Sequence, residues 1–241
     1  MKKPKLYTEI SYLLGLAILA LGVAFMVKAD YGVSMVVAPA YILYRVISPH
    51  LSFFTFGMSE YCFQALLLLL LFVLLRRFRP SYLFSFLTAV IYGLLVDACT
   101  ALIRPLVFDA TAVRVLGFVA GMLLSSLGVS LVFHTYIAPG VYELFVKAMS
   151  ERTGIPIHRF KSGYDAASFL LGIILSFLFF GFGKFVGVKL GTVVCTILNG
   201  PTIGLFGKLL DKSFTFCDAL PFRPFFEKAT EPNETKTEPV L

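Results

Sequence analysis

The chain has 241 residues, of which 58% are hydrophobic and only 15% charged, with a mean hydropathy of +0.86. A soluble domain of this length has too little interior to hide that much apolar surface from water, so an all-α polytopic membrane protein is expected. The net charge of +7 and the pI near 9.2 suit basic loops flanking membrane spans and carry no implication of a nucleic-acid partner.

Apolar runs that reach the ~20 residues of a spanning helix occur at about 8–28, 53–75, 81–103, 112–134, 163–183 and 186–210. No small-residue cleavage site follows the first run, so it is read as a retained helix rather than a signal peptide. Lys2, Lys3 and Lys5 precede it, which favours a cytoplasmic N-terminus, and six crossings bring the C-terminus back to the same side.

Two further apolar segments, 33–48 and 137–149, are too short to cross a ~30 Å hydrocarbon core comfortably, and the second carries Glu143 and Lys147. Pro39 and Pro139 stand near their starts, where a missing N–H is harmless and a fixed φ suits the first helical turn. Both segments are read as half-helices, re-entrant or interfacial. Counting basic residues does not decide between six and eight crossings, because either arrangement places twelve Lys and Arg inside and six outside. Segment length favours six.

The apolar pattern also occurs twice. Gly15, Leu21-Gly22 and Ala38-Pro39-Ala40 find counterparts, at nearly constant separation, in Gly121, Leu127-Gly128 and Ala138-Pro139-Gly140. More loosely, Glu60 corresponds to Asp165 and Tyr92-Gly93 to Asn199-Gly200. The expected organisation is a first membrane repeat over 1–106, a second over 107–212 and a tail over 213–241. Three spans plus one half-helix per repeat make an odd number of crossings, which inverts the second copy relative to the first. In the tail, the aromatic and proline-rich stretch 214–226 is expected in the headgroup zone, and the polar remainder is expected to be disordered.

Charged groups within spans are costly and point to a site, a path or a partner. Here they are Glu60, Asp97 and Asp165, with Asp30, Lys28, His134 and Glu143 at or near helix ends. An excess of intramembrane acids suits a cation, an amine-bearing solute or a coupled proton. The bland alternative leaves Glu60 and Asp165 wetted or paired near their span ends, whereas Asp97 lies deeper. Asn199-Gly200-Pro201 is expected to interrupt the last span and free backbone carbonyls. The half-helix starts at Pro39 and Pro139 offer positive partial charge, so acids and helix ends together fit a zwitterionic solute, or acids that simply neutralise helix ends. The glycines of the first and fourth spans read as close-packing positions.

Enzymatic chemistry has little support. There is neither a P-loop nor a GxGxxG motif, and His50, His134 and His158 show no metal-ligand spacing. Cys62, Cys99, Cys195 and Cys217 contain no CxxC pair and read as small apolar fillers. No catalytic residue, metal or cofactor is assigned.

The Gly15-Leu-Ala-Ile-Leu-Ala-Leu-Gly22 helix leading into Lys28-Ala-Asp-Tyr-Gly-Val-Ser34 resembles the start of the bacterial YczE/YyaS/YitT group of multi-span membrane proteins. So do Phe160-Lys-Ser-Gly-Tyr-Asp165, Leu190-Gly-Thr-Val193 and Gly200-Pro-Thr-Ile-Gly204. The resemblance covers about residues 10–210 and implies a bacterial inner-membrane protein of a group suspected of transport. It supplies no substrate and no functional residues. The reading is a secondary transporter or channel-like permease for a small polar solute, cationic, amine-bearing or zwitterionic, with the lipid bilayer as its medium and room for a homo-oligomer or membrane partner. Its rivals are a non-transporting membrane accessory and a substrate-capturing subunit of a larger transporter. A permease should hold a wet, polar-lined cavity between its halves, and an accessory a dry interior.

Overall fold

The computed structural model describes residues 3–76, 81–137, 140–221 and 223. In chain order its elements are β1 (Lys5–Tyr7), α1 (Thr8–Ala29), α2 (Ala38–Ile47), α3 (Phe56–Leu75), α4 (Ser81–Ile103), α5 (Thr111–Phe133), α6 (Val141–Thr153), α7 (Ile157–Phe180), α8 (Leu190–Ser213) and β2 (Thr215–Cys217). The protein is all-α apart from the two three-residue strands. Six helices, α1, α3, α4, α5, α7 and α8, are long and apolar enough to cross a membrane. At 10 and 13 residues, α2 and α6 reach only about 15–20 Å at 1.5 Å per residue, short of a ~30 Å core.

Local chemistry sets the helix ends. Thr55 caps α3, its hydroxyl accepting from the Met58 N–H at 3.1 Å. Pro39 lies in the first turn of α2 and is buried there. Gly154 ends α6 in the left-handed conformation, φ 69°, which costs a residue without Cβ little. Pro139 and Ala138 lie outside the described residues.

The tightest packing joins α1 to α5, which run antiparallel. Gly15 opposes Gly128, and Gly22 opposes Gly121 and Ser125. A Cβ at Gly22 would come within 2.6 Å of the Gly121 carbonyl oxygen, and one at Gly128 within 2.6 Å of that of Gly15. The glycines therefore let two backbones touch, as their helical spacing predicts. Farther along the same seam the Ser11 hydroxyl donates to the Leu131 carbonyl at 3.0 Å.

Two findings depart from the sequence reading. First, α8 runs without interruption from Leu190 to Ser213 with Pro201 inside it. The Thr202 hydroxyl donates to the Leu198 carbonyl at 2.7 Å, and Pro201 is exposed on the helix surface, where its ring is accommodated without breaking the ladder. Second, part of the stretch expected in the headgroup zone is a strand: β2 pairs in parallel with β1, Leu6 opposite Phe216. Glu9 reinforces this clasp by accepting from the backbone N–H groups of Ala219 and Leu220 at 3.1 and 2.9 Å. The two ends of the described chain therefore emerge on one face, as an even number of crossings requires.

Candidate functional site

A cavity of about 430 Å³ lies at the junction of the two halves, with walls drawn from α1, α3, α4, α5, α6, α7, α8 and the segment Ser34–Val37. From α8 come Thr196, Asn199, Gly200 and Ile203, a three-four spacing that puts all four on one helix face. From α7 come Lys161, Ser162 and Asp165. Gln64 contributes from α3, Tyr92 from α4, and Tyr142 and Glu143 from α6. The α1 and α5 walls are mainly apolar, including Leu16, Val23 and Val129, with Ser125 and Ser126 as polar exceptions.

The charged groups gather on the α6–α7 side. Lys161 Nζ lies 4.0 Å from Asp165 Oδ1, one helical turn away on α7. Glu143 sits in the first turn of α6, and no Lys or Arg comes within ion-pair distance of it among the described residues. Two carboxylates and one ammonium thus leave a formal excess of one negative charge on this wall. Behind it lies Glu60, fully buried. Its Oε2 accepts from the Tyr142 hydroxyl at 3.1 Å and from Gln64 Nε2 at 3.5 Å, while Oε1 has no partner. Gln64 Oε1 and Asp165 Oδ1 are likewise buried without a hydrogen-bond partner. Orphaned buried acceptors are uncommon, and three in one cluster mark a place built to receive a donor.

The two ends of the cavity differ. Lys161, Ser162 and Phe133 are exposed and lie toward the ends of α7 and α5 nearest the β1–β2 clasp, forming a mouth on the face that carries the chain ends. Toward the other face the chain is knitted shut. The Val33 N–H donates to the Gly187 carbonyl at 3.1 Å and the Gly191 N–H to that of Tyr31 at 2.9 Å, with Thr192 and Ala38 fully buried beside them.

Of the residues singled out from sequence, Asp165, Asn199 and Gly200 line this cavity, with the Ser126 hydroxyl donating to Asn199 Oδ1 at 3.4 Å. Glu60 backs it. Pro39 is not a lining residue, but Met35, Val36 and Val37, just before it, and Gly140, just after Pro139, are. Pro139 itself is outside the described residues. Asp97 lies elsewhere: its Oδ1 accepts from the Gly57 N–H at 2.7 Å and its Oδ2 from the Thr55 hydroxyl at 2.6 Å, so it holds the N-terminus of α3. His134 contacts the Ser130 carbonyl at 2.6 Å and Asp211 Oδ1 at 3.2 Å and stacks on Phe216. It fastens the end of α5 to α8 and β2. Pro201 is not a lining residue.

Sequence reasoning passed over Gln64, Tyr142 and Lys161 as site residues, and noted Glu143 only as a charged group near a helix end. A signal existed for two of them. Gln64 stands one turn after Glu60 in an otherwise apolar run, and Lys161 one turn before Asp165, both spacings that bring side chains together. Tyr142 carries no such mark, and the turn of α6 into the interior brings it and Glu143 here. Among the described residues no group of His, Cys, Asp and Glu is arranged to hold a metal ion.

No curated protein and no solved structure matches the chain. A family model does match, over residues 6–208, which is most of the chain and includes every residue of the cavity. The chain belongs to that family, the family of unknown function DUF6198.

Proposed function

We propose that this protein is a permease, a secondary transporter rather than an enzyme, for an amine-bearing cationic or zwitterionic solute. The single observation that carries the reading is the cavity between the halves, with an excess of carboxylate and unpartnered acceptors on one wall, open toward one face and sealed at the other. The acceptors of Gln64, Glu143 and Asp165 on that wall favour a permease over a membrane accessory, for which a dry interior is expected. Asp165 and Glu143 are assigned to seat the cationic group, competing with Lys161 for it. Glu60, through Tyr142 and Gln64, holds the wall and senses its charge.

Supporting the same reading is the crossed glycine contact. If Gly15 corresponds to Gly121 and Gly22 to Gly128, the contact of Gly15 with Gly128 maps onto that of Gly121 with Gly22, which is what a two-fold axis in the membrane plane requires. An inverted repeat of this kind is a common basis for alternating access. The basic N-terminal segment supports placing the clasped chain ends in the cytoplasm, so the mouth faces inward, and the resemblance to the YczE/YyaS/YitT group supports a bacterial inner-membrane setting.

The test is reconstitution in liposomes on a solid-supported membrane, with tetramethylammonium, ethanolamine and glycine applied in turn. Wild type should give a solute-dependent transient current with at least one of them, and Asp165→Asn and Glu143→Gln should lose it while remaining folded. Wild-type currents no larger than those of empty liposomes for all three, or currents unchanged in both variants, would contradict the reading.

A further inference from the structure

We propose that the solute is an amine-bearing amphiphile that reaches the cavity sideways from the bilayer, between α7 and α8, an inference that rests on the permease reading of this cavity and narrows its substrate class. Both helices line the cavity, yet α7 packs mainly on α2 and α6 and α8 on α5, with at most marginal contact between the two. The corresponding pair, α3 and α4, does pack together. The contrast is visible residue by residue. A Cβ at Gly93 of α4 would come within 2.7 Å of the Gly57 carbonyl oxygen of α3, whereas Cβ atoms at Gly163 of α7 and at Gly200 and Gly204 of α8 would meet nothing within 4 Å. Gly200 is both a cavity wall and exposed, so no side chain closes the cavity at that point of α8.

The lining chemistry names the occupant. Glu143, Asp165 and the unpartnered Oε1 of Gln64 accept from an ammonium group. Most of the remaining wall, including Leu16, Val23 and Val129, offers nothing to a hydrated ion but buries an alkyl chain. A volume near 430 Å³ falls within the ~300–1,000 Å³ typical of ligand sites. Each methylene buried there should tighten binding roughly fourfold.

The experiment uses the full chain in lipid nanodiscs, with its thermal-unfolding midpoint followed against dodecylamine below its micellar concentration, butylamine and dodecanoate. Dodecylamine should stabilise the wild type at concentrations at least ~100-fold lower than butylamine, and dodecanoate should not stabilise it. Gly200→Phe places a ring in the open space at the gap and should abolish the response to dodecylamine while leaving the unliganded midpoint in place. Should that variant fail to fold, Ile203→Trp on the same helix face replaces it. A dodecylamine response that survives the blocking variant, or is matched by dodecanoate, overturns the proposal. Stabilisation by butylamine equal to that by dodecylamine overturns sideways admission but leaves the permease reading standing. Absence of any response to either amine overturns this proposal and leaves the permease reading to the current measurement.

Discussion

The seam between α3 and α4 and the gap between α7 and α8 begin from similar sequence and end in opposite states. Each pair carries an acid within a span, Glu60 in one and Asp165 in the other, and a glycine near the middle of its second helix, Gly93 or Gly200. In the first pair the backbones meet at Gly57 and Gly93, and Asp97 crosses the seam to cap α3. In the second, Gly163, Gly200 and Gly204 meet nothing within 4 Å, and Asp165 faces the cavity. The sequence pattern thus marks where two helices can touch, and the conformation decides which pair does. Under the permease reading proposed above, such a pair, one closed while the other is open, is what alternating access would need.

The comparison breaks most sharply at its glycines. Gly57→Val should cost about 1–3 kcal/mol or more, because the new side chain meets the Gly93 backbone and the Asp97 carboxylate, neither of which can yield cheaply. Gly200→Ala should be neutral or stabilising by up to about 1 kcal/mol, since alanine favours a helix and nothing lies in its way. Thermal-unfolding midpoints in nanodiscs check both, and equal losses at the two sites would erase the distinction between seam and gap.

The acids come next. Asp97→Ala removes the acceptor for the Gly57 N–H and the Thr55 hydroxyl and should lower stability by about 1–2 kcal/mol, with transport per folded molecule retained. Asp165→Asn should do the reverse, leaving the midpoint nearly unchanged and abolishing solute-driven current. Glu60→Gln relieves a fully buried carboxylate that has no cation partner among the described residues and should be neutral or stabilising. A large loss of stability there would mean that Glu60 is held by something other than Tyr142 and Gln64.

The smallest effect is a baseline for pH work on the cavity. Asp218 is held below the usual carboxylate range chiefly by its hydrogen bond from Arg223 at 2.6 Å. A depressed carboxyl contributes stability above its unfolded pKa and loses it as pH falls through the lower folded value. Because the pair is at the surface, the contribution should be a few tenths of a kcal/mol. Arg223→Ala should therefore flatten the acid limb of a midpoint-against-pH curve only slightly, and a large change would place the clasp of the chain ends at the centre of the pH response.

Much of the fold was legible because a bilayer imposes length. Span starts and ends read from hydropathy fall within a few residues of the helices, except that α7 begins at Ile157, earlier than the apolar run at 163. Its first turns are polar, and they carry Lys161 into the cavity mouth. The half-helices were visible as runs too short to cross. The β1–β2 clasp was not, since three residues per strand leave no periodicity to detect. Asp97 was misplaced as the deepest acid because depth was counted along α4 alone. The N-terminus of α3 meets it there, and a carboxylate that looks isolated in sequence becomes a cap in space. Asp165 and Asn199, picked by type and position, line the cavity, while Glu143, seen in the sequence only as a charge near a helix end, reaches it through α6 turning inward.

The central claim is that the space beside α8 is a path open to the face bearing the chain ends and closed to the other. It is tested most directly by a single cysteine at Asn199 in a chain whose Cys62, Cys99, Cys195 and Cys217 have been replaced by alanine, probed with a membrane-impermeant thiol reagent from either side of sealed vesicles. The account predicts labelling from the face that carries the chain ends, protection by a bound amine, and no labelling of a cysteine at Gly57, should that variant fold, from that face. An Asn199 cysteine unreactive from both faces, or reactive only from the side where Tyr31 is bonded to Gly191, would contradict it.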